Sequence, residues 1–209
     1  MIETYEKLNE AQDFSETDPF TSERYRQFFR YFPTHVKTVL DVGCNTGRGG
    51  LVLKKLNKNL NLVGLDCVIS RLNKIPKGIY DQTICSYSTD ISSEELFFDV
   101  VVAGEFIEHL YPKDVLQSLR EFYRLLKPGG RLLLTTPNPK YMLLKLTGGS
   151  VLGGAHVSQH YPSDLIKELE KVGFINIEIC GSGKVFRLLG ENFPFLTLYG
   201  SYLVVANKT

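Results

Sequence analysis

The sequence lacks what marks a secreted, membrane-spanning or polyanion-binding chain. Cysteine is scarce: Cys44, Cys67, Cys85 and Cys180 stand in 209 residues with no C-x-x-C pair. No disulfide framework is written into that spacing, and the thiols read as reduced, partly buried groups of a cytoplasmic protein. Charge of one sign is also lacking. The formal net charge is +1, which offers no electrostatic argument for a long nucleic-acid backbone. Residues 1–14 are too polar for a signal peptide, and no apolar run reaches membrane-spanning length. The longest apolar stretch, 193–206, is broken by Pro194 and Gly200 and reads as a final strand. There is no internal repeat and no low-complexity tract. What is present is ordinary globular material, with 43% hydrophobic residues, and at this length a chain buries a substantial core without staples.

Strand and helix patterns alternate from Thr38 onward. Apolar, β-branched runs predict strands at 38–42, 60–65, 82–86, 98–103 and 131–135, with two more at 175–179 and 199–206. Helices are predicted at 47–56, 70–74, 114–126 and 163–172. In the third of these, Val115, Leu119, Phe122 and Leu126 recur at spacings of three and four and Lys127-Pro-Gly-Gly stops the helix. In the fourth, Ser163 reads as the N-cap and Gly173 follows the end. This alternation implies a mostly parallel sheet with right-handed crossovers. The last two strands have no helix signal between them, which favours an antiparallel final strand at one side of the sheet. Two regions fall outside the rhythm. Residues 1–35 carry Tyr25, Phe28, Phe29 and Phe32 on one helical face and read as a helical cap or lid on a domain of residues 36–209. Residues 137–162 form a long connection, the kind that often carries function.

The first predicted strand runs into Val39-Leu-Asp-Val-Gly-Cys-Asn-Thr-Gly47. Glycines in such a strand-to-helix turn let a ligand approach the backbone. A dinucleotide fingerprint needs glycine at the first, third and sixth positions, and counting from Gly43 these hold Gly43, Asn45 and Arg48. A nicotinamide-dependent oxidoreductase is therefore disfavoured. The segment resembles motif I of class I S-adenosylmethionine-dependent methyltransferases, with Asp41, Gly43 and Gly47 matching and Asn45 in place of the middle glycine. Asn tolerates positive φ better than most residues. Phe98-Asp-Val-Val-Val-Ala-Gly-Glu, Leu126-Lys-Pro-Gly-Gly-Arg-Leu and Val172-Gly-Phe are similar to further phrases of that family, in order, across residues 36–206. The resemblance implies a Rossmann-like α/β fold with a seven-stranded, mostly parallel sheet, an antiparallel last strand and helices on both faces. It also implies S-adenosylmethionine as cofactor. Asp66, at the end of the second strand, suits two ribose hydroxyls. With its neighbour Cys67, and with Cys44 and Gly104 at the other strand ends, it is expected to line the cofactor site. Asp90 and Ile91 are expected to meet the adenine, although Asp90 also suits a cap before Ser92-Ser93-Glu94.

Methyl transfer requires positioning of the acceptor and removal of its proton. Glu105-Phe-Ile-Glu-His109 follows the fourth strand. As a helical turn it places Glu105, Glu108 and His109 on one face. Two carboxylates and an imidazole suit Mg2+ or Mn2+, and His156 or His160 from the long connection supplies a further ligand, with His156 preferred. This Glu-x-x-Glu-His phrase resembles that of small-RNA 2′-O-methyltransferases and of ubiquinone-biosynthesis O-methyltransferases. It also occurs in family members with no established metal, where His109 is a metal-free base and Glu105 orients the cofactor or loop. Tyr141, Met142 and Tyr161 are expected to line the acceptor pocket. The leading reading is O-methylation of a small-molecule acceptor by a monomer or homodimer. An RNA 2′-hydroxyl acceptor and a non-catalytic cofactor-binding module are the alternatives. The missing Asn/Asp-Pro-Pro-Tyr phrase argues against typical amino-directed DNA enzymes.

Overall fold

Side chains that alternate along a strand point to opposite faces, and here that alternation builds two apolar layers around one sheet. The computed structural model describes residues 4–10, 18, 20–91, 97–183 and 189–209. Strands β1 (Thr38–Val42), β2 (Asn61–Asp66), β3 (Gln82–Cys85), β4 (Phe98–Gly104), β5 (Leu126–Pro137), β6 (Ile175–Ser182) and β7 (Ser201–Asn207) form a seven-stranded sheet in the order β3-β2-β1-β4-β5-β7-β6. Neighbours from β3 to β5 are parallel, and β7 is antiparallel to both β5 and β6. The antiparallel last strand is thus found, one position in from the edge that β6 occupies.

The helices are α1 (Tyr5–Glu10), α2 (Thr21–Arg30), α3 (Arg48–Leu56), α4 (Ile69–Leu72), α5 (Pro112–Leu125), α6 (Met142–Thr147) and α7 (Pro162–Val172). On one face Leu40, Val42, Val101 and Ala103 pack against Val115, Leu119 and Phe122 of α5 and Leu165 and Leu169 of α7. On the other, Val39, Val100 and Val102 pack against Tyr25 and Phe28 of α2 and Val52 and Leu53 of α3. Phe29 and Phe32 join that second layer partly buried, so the N-terminal aromatic stripe is core. Residues 1–3, 11–17 and 19 of the expected cap lie outside the described residues.

Several boundaries differ from the sequence expectation, three of them with a local cause or shift. Helix α5 stops at Leu125, and β5 already pairs at Leu126. Residues 127–130 are then taken up as an irregularity between the Phe98–Leu126 and Val100–Arg131 pairs. Helix α7 is capped by extended Tyr161, with Pro162 rather than Ser163 at its start; proline's fixed φ and missing N–H suit the first helical position. Helix α4 spans Ile69–Leu72, starting one residue and ending two residues earlier than expected.

Candidate active site

The order β3-β2-β1-β4-β5 reverses direction between β1 and β4, and ligands of open α/β sheets bind outside the strand ends at that reversal. A cavity of about 570 Å³ opens there. Its floor is the turn after β1. Gly43, Asn45 and Gly47 all have positive φ, at 70°, 50° and 86°. The turn is held by the N–H groups of Gly43 and Cys44, which donate to the Leu65 carbonyl. A Cβ on Gly43 would lie 2.7 Å from the Phe106 ring, so close approach from β4's loop explains that glycine. Asp66 is buried at the end of β2, accepting from the backbone N–H groups of Asn45 and Val68, each at 2.9 Å. Burial pushes its carboxyl up, with those N–H groups opposing. Gly43, Cys44, Asn45, Asp66, Cys67 and Gly104 line the cavity as expected.

Four expected cofactor contacts do not line it. Asp41 is fully buried on the opposite side of the turn, where the Tyr25 hydroxyl donates to one oxygen at 2.6 Å and the Tyr80 hydroxyl to the other. Burial raises its carboxyl to about 7, opposed by the two tyrosines. Both rings reach Asp41 across α3, whose first turn is bare: a Cβ on Gly49 would stand 2.0 Å from the Tyr25 ring and one on Gly50 2.4 Å from Tyr80. Gly47 faces Ile75 as the left-handed cap of α3. Asp90 is exposed and Ile91 belongs to the α5 layer. Ser86, Tyr87 and Ser88 line the cavity instead, because β3 ends at Cys85 and the chain turns before Asp90. The capping alternative for Asp90 involves Ser92 to Glu94, outside the described residues.

The segment after β4 does not form the α-helical turn that would align its acids. Glu105 has φ 51°, and its N–H is held by the carbonyl and hydroxyl of Thr135 at 3.0 and 3.1 Å. Only Ile107–His109 then makes a turn of 3₁₀ helix. Glu105 points to Ser201, whose hydroxyl donates at 3.2 Å, and to Arg24 of α2 at 3.8 Å. Glu108 is buried and accepts from the Thr136 hydroxyl at 3.0 Å. Burial and then the Glu105 charge hold it well above the usual carboxylate range. Its Oε1 has no hydrogen-bond partner among the described residues.

The long connection folds back onto this turn. Val157 and Ser158 donate from the backbone to the Glu108 carbonyl at 2.9 and 3.1 Å, and the His160 ring meets the Ile107 carbonyl at 3.2 Å. That stitching spends His160 on backbone and brings the His156 ring to 4.9 Å from that of His109. Each ring faces a carbonyl through Nδ1, Ala155 at 3.2 Å for His109 and Val151 at 2.9 Å for His156. A carbonyl only accepts, so both Nδ1 atoms carry hydrogen, and in the neutral ring that leaves the lone pair on Nε2. Burial, then the neighbouring His156, lowers His109 to about 4. Ligand atoms of Glu108, His109 and His156 all lie within 4.8 Å of one another. Glu105 stands outside that group, which corrects the expected four-residue metal set. Two imidazole nitrogens and a carboxylate oxygen without a partner are donors that fit a small dication.

Residues of the N-terminal segment, expected as a cap or lid, form one wall. Tyr5, Asn9, Arg24 and Tyr25 line the cavity, as do Tyr141 and Leu143 of the long connection, whereas Met142 and Tyr161 do not.

Comparison with known proteins supplies the family. Residues 17–179 match the family model described as a methyltransferase domain. The chain belongs to the class I S-adenosylmethionine-dependent methyltransferases. It is 31% identical over 137 residues to the ubiquinone biosynthesis O-methyltransferase of Pseudomonas paraeruginosa, covering 60% of this chain and 54% of that one. The chain thus spans about half the length of the curated relatives it matches. Among solved structures, a SAM-dependent methyltransferase from Archaeoglobus fulgidus superimposes with a TM-score of 0.70 at 24% identity, covering 90% of this chain and 93% of that one. Phosphoethanolamine N-methyltransferase 2 of Haemonchus contortus, solved in complex with S-adenosyl-L-methionine, gives a TM-score of 0.72 at 14% identity, covering 99% of this chain and 60% of that one. These likenesses bear out the Rossmann-like fold. The buried acid at the end of β2 and the glycine-bearing turn beside it are donors and acceptors of the kind the cofactor's ribose and amino-acid ends require.

Proposed function

We propose that this methyltransferase transfers the methyl group to a hydroxyl oxygen of a small-molecule acceptor bound at the His109–His156 end of the cavity. The observation that carries the reading is the pair of imidazoles, each tied to a carbonyl through Nδ1, in one cavity with Asp66 and the β1 turn. S-adenosylmethionine supplies, when bound, a methyl group already activated on a sulfonium, which leaves positioning and proton removal to the protein. Asp66 accepts from the ribose hydroxyls and Cys67 lies beside it. The backbone of Gly43, Cys44 and Asn45 faces the amino-acid end, and Ser86 to Ser88 bound the adenine. Glu105, tied to Arg24 and Ser201, orients the bound pair. His109 is neutral near pH 7 because burial keeps its proton off, so its Nε2 is free to take the acceptor's proton. Alternatively that Nε2, with Glu108 and His156, would hold Mg2+ or Mn2+, which would supply polarisation of the same hydroxyl in place of direct proton removal by His109. Relatives named as ubiquinone biosynthesis O-methyltransferases support oxygen as the accepting atom.

Calorimetry tests the reading in two steps. S-adenosylhomocysteine is expected to bind, with Asp66→Ala weakening it about tenfold or more, the loss of charge-assisted hydrogen bonds. No binding by the parent protein sinks the proposal. Mn2+ is then titrated into chelator-treated protein saturated with the product. One site, lost in Glu108→Ala and in His156→Ala but kept in Glu105→Gln, is the expected result. Product binding without Mn2+ binding leaves His109 acting as a metal-free base.

A further inference from the structure

A hydroxyl group carries one hydrogen and two lone pairs, so a side chain that donates into the protein is left only to accept from a ligand. Ser86, Tyr87 and Ser88 line the cavity after β3, and each of their hydroxyl hydrogens already has a destination. Ser86 donates to the Asp90 carbonyl at 2.6 Å, closing a turn on which Asp90 stays exposed. Tyr87 donates to the Glu6 carboxylate of α1 at 2.6 Å, and that bond holds the Glu6 carboxyl below its usual range. Ser88 Oγ lies 2.8 Å from Ser118 Oγ of α5, and both residues are buried. Ser118 donates its hydrogen to the Asp114 carbonyl one turn earlier, at 3.0 Å, so Ser88 is the donor within the pair. A ligand against this wall therefore meets side-chain lone pairs. Glu121 and Arg124 of α5 hold the N–H and the carbonyl of Ile91, which fixes the chain after Asp90 in the α5 layer.

We propose that Ser88 reads the 6-amino group of the cofactor's adenine, with Ser118 as the positioning residue that fixes its hydroxyl as an acceptor. The inference rests on the reading that puts adenine against residues 86–88. Strand order supports that end of the cavity. The β1 turn, Asp66 at the end of β2 and the wall after β3 follow one another across the sheet, as the amino-acid end, ribose and base follow one another in the cofactor. At the six position adenine offers a donor where guanine and hypoxanthine carry an acceptor oxygen. A 6-oxo purine would set lone pairs against lone pairs, and an acceptor buried without a donor costs more than the missing bond. Adenine is thus selected by a neutral hydroxyl, in place of the carboxylate expected at Asp90.

The test compares S-adenosylhomocysteine with S-inosylhomocysteine, its 6-oxo counterpart, by calorimetry on the full chain. The parent is expected to prefer the adenosyl compound about tenfold or more. Ser88→Ala is expected to bring the two affinities within about threefold of each other, mainly by weakening the adenosyl compound. Ser88→Thr, which keeps the hydroxyl, is expected to retain the preference. Ser118→Ala releases the Ser88 hydrogen towards the ligand and is expected to strengthen inosyl binding. The ratio of two affinities does not move when a variant is only less well folded. A parent without the preference, or a preference that Ser88→Ala leaves intact, overturns the proposal while the cofactor reading stands. Loss of the preference in Asp90→Asn but not in Ser88→Ala also overturns it and assigns the adenine to that carboxylate. A parent that binds neither compound removes the cofactor reading and this inference with it.

Discussion

Asp41 binds two distant parts of the chain to the β1 turn, and its chemistry is set by burial. In the folded protein its carboxyl is raised to about 7 from an ordinary 3.8. The folded state therefore holds more protons than the unfolded chain between those values, so this group's contribution makes stability fall as pH rises through that window and level off above it. Asp41→Asn is expected to remove the trend, changing the slope of unfolding free energy by up to about 1.4 kcal/mol per pH unit; urea melts at pH 4.5, 6 and 7.5, roughly spanning the window, measure it. Gly49→Ala forces a methyl into the Tyr25 ring, which approaches to 2.0 Å of the added Cβ. A loss of about 1–3 kcal/mol is expected in spite of alanine's better helix propensity. An unchanged denaturation midpoint would show that the ring moves freely.

At the scale of the element, α2 behaves as part of the core and α1 as a strap. Phe28 is fully buried in the α3 layer, and Phe28→Ala is expected to destabilise the whole domain by about 3–5 kcal/mol. Helix α1 is tied differently. The Tyr5 hydroxyl donates to Asp114 and accepts from the Tyr111 N–H, and its ring stacks edge-on to Tyr87 at 5.7 Å. Tyr5→Ala therefore releases a wall of the cavity without opening the core. Weaker product binding with thermal stability nearly unchanged is the expected pattern, and hydrogen exchange of residues 5–10 reports the loosening. A large fall in thermal stability would mean that α1 belongs to the core after all.

The whole molecule shares one sheet between the two apolar layers, so cofactor and fold are linked through the strand ends. Product at a hundredfold excess over its dissociation constant stabilises by about 2.7 kcal/mol. For a chain of this size that raises the melting temperature by roughly 5–11 °C. Thermal scans with S-adenosylhomocysteine and with a nicotinamide dinucleotide check it; a shift with the latter would contradict the glycine spacing at Gly43, Asn45 and Arg48.

Sequence by itself determined the sheet, the helices and the cofactor turn, because period-two and period-3.6 patterns and glycine placement are local properties. Asp66 and the Gly43–Asn45 turn were legible for that reason, and so was His156, since its glycines let the connection fold back. Tertiary structure decided the rest. The left-handed Glu105, held by Thr135, sends two acids of one short phrase to different partners. The early end of β3 puts Tyr87 and Ser88 on the cavity wall in place of Asp90 and Ile91. Tyr25 and Tyr80 reach Asp41 from positions far along the chain, and the paired glycines of α3 were the only trace of them. Such contacts depend on where segments distant in sequence come to rest, which no local pattern encodes.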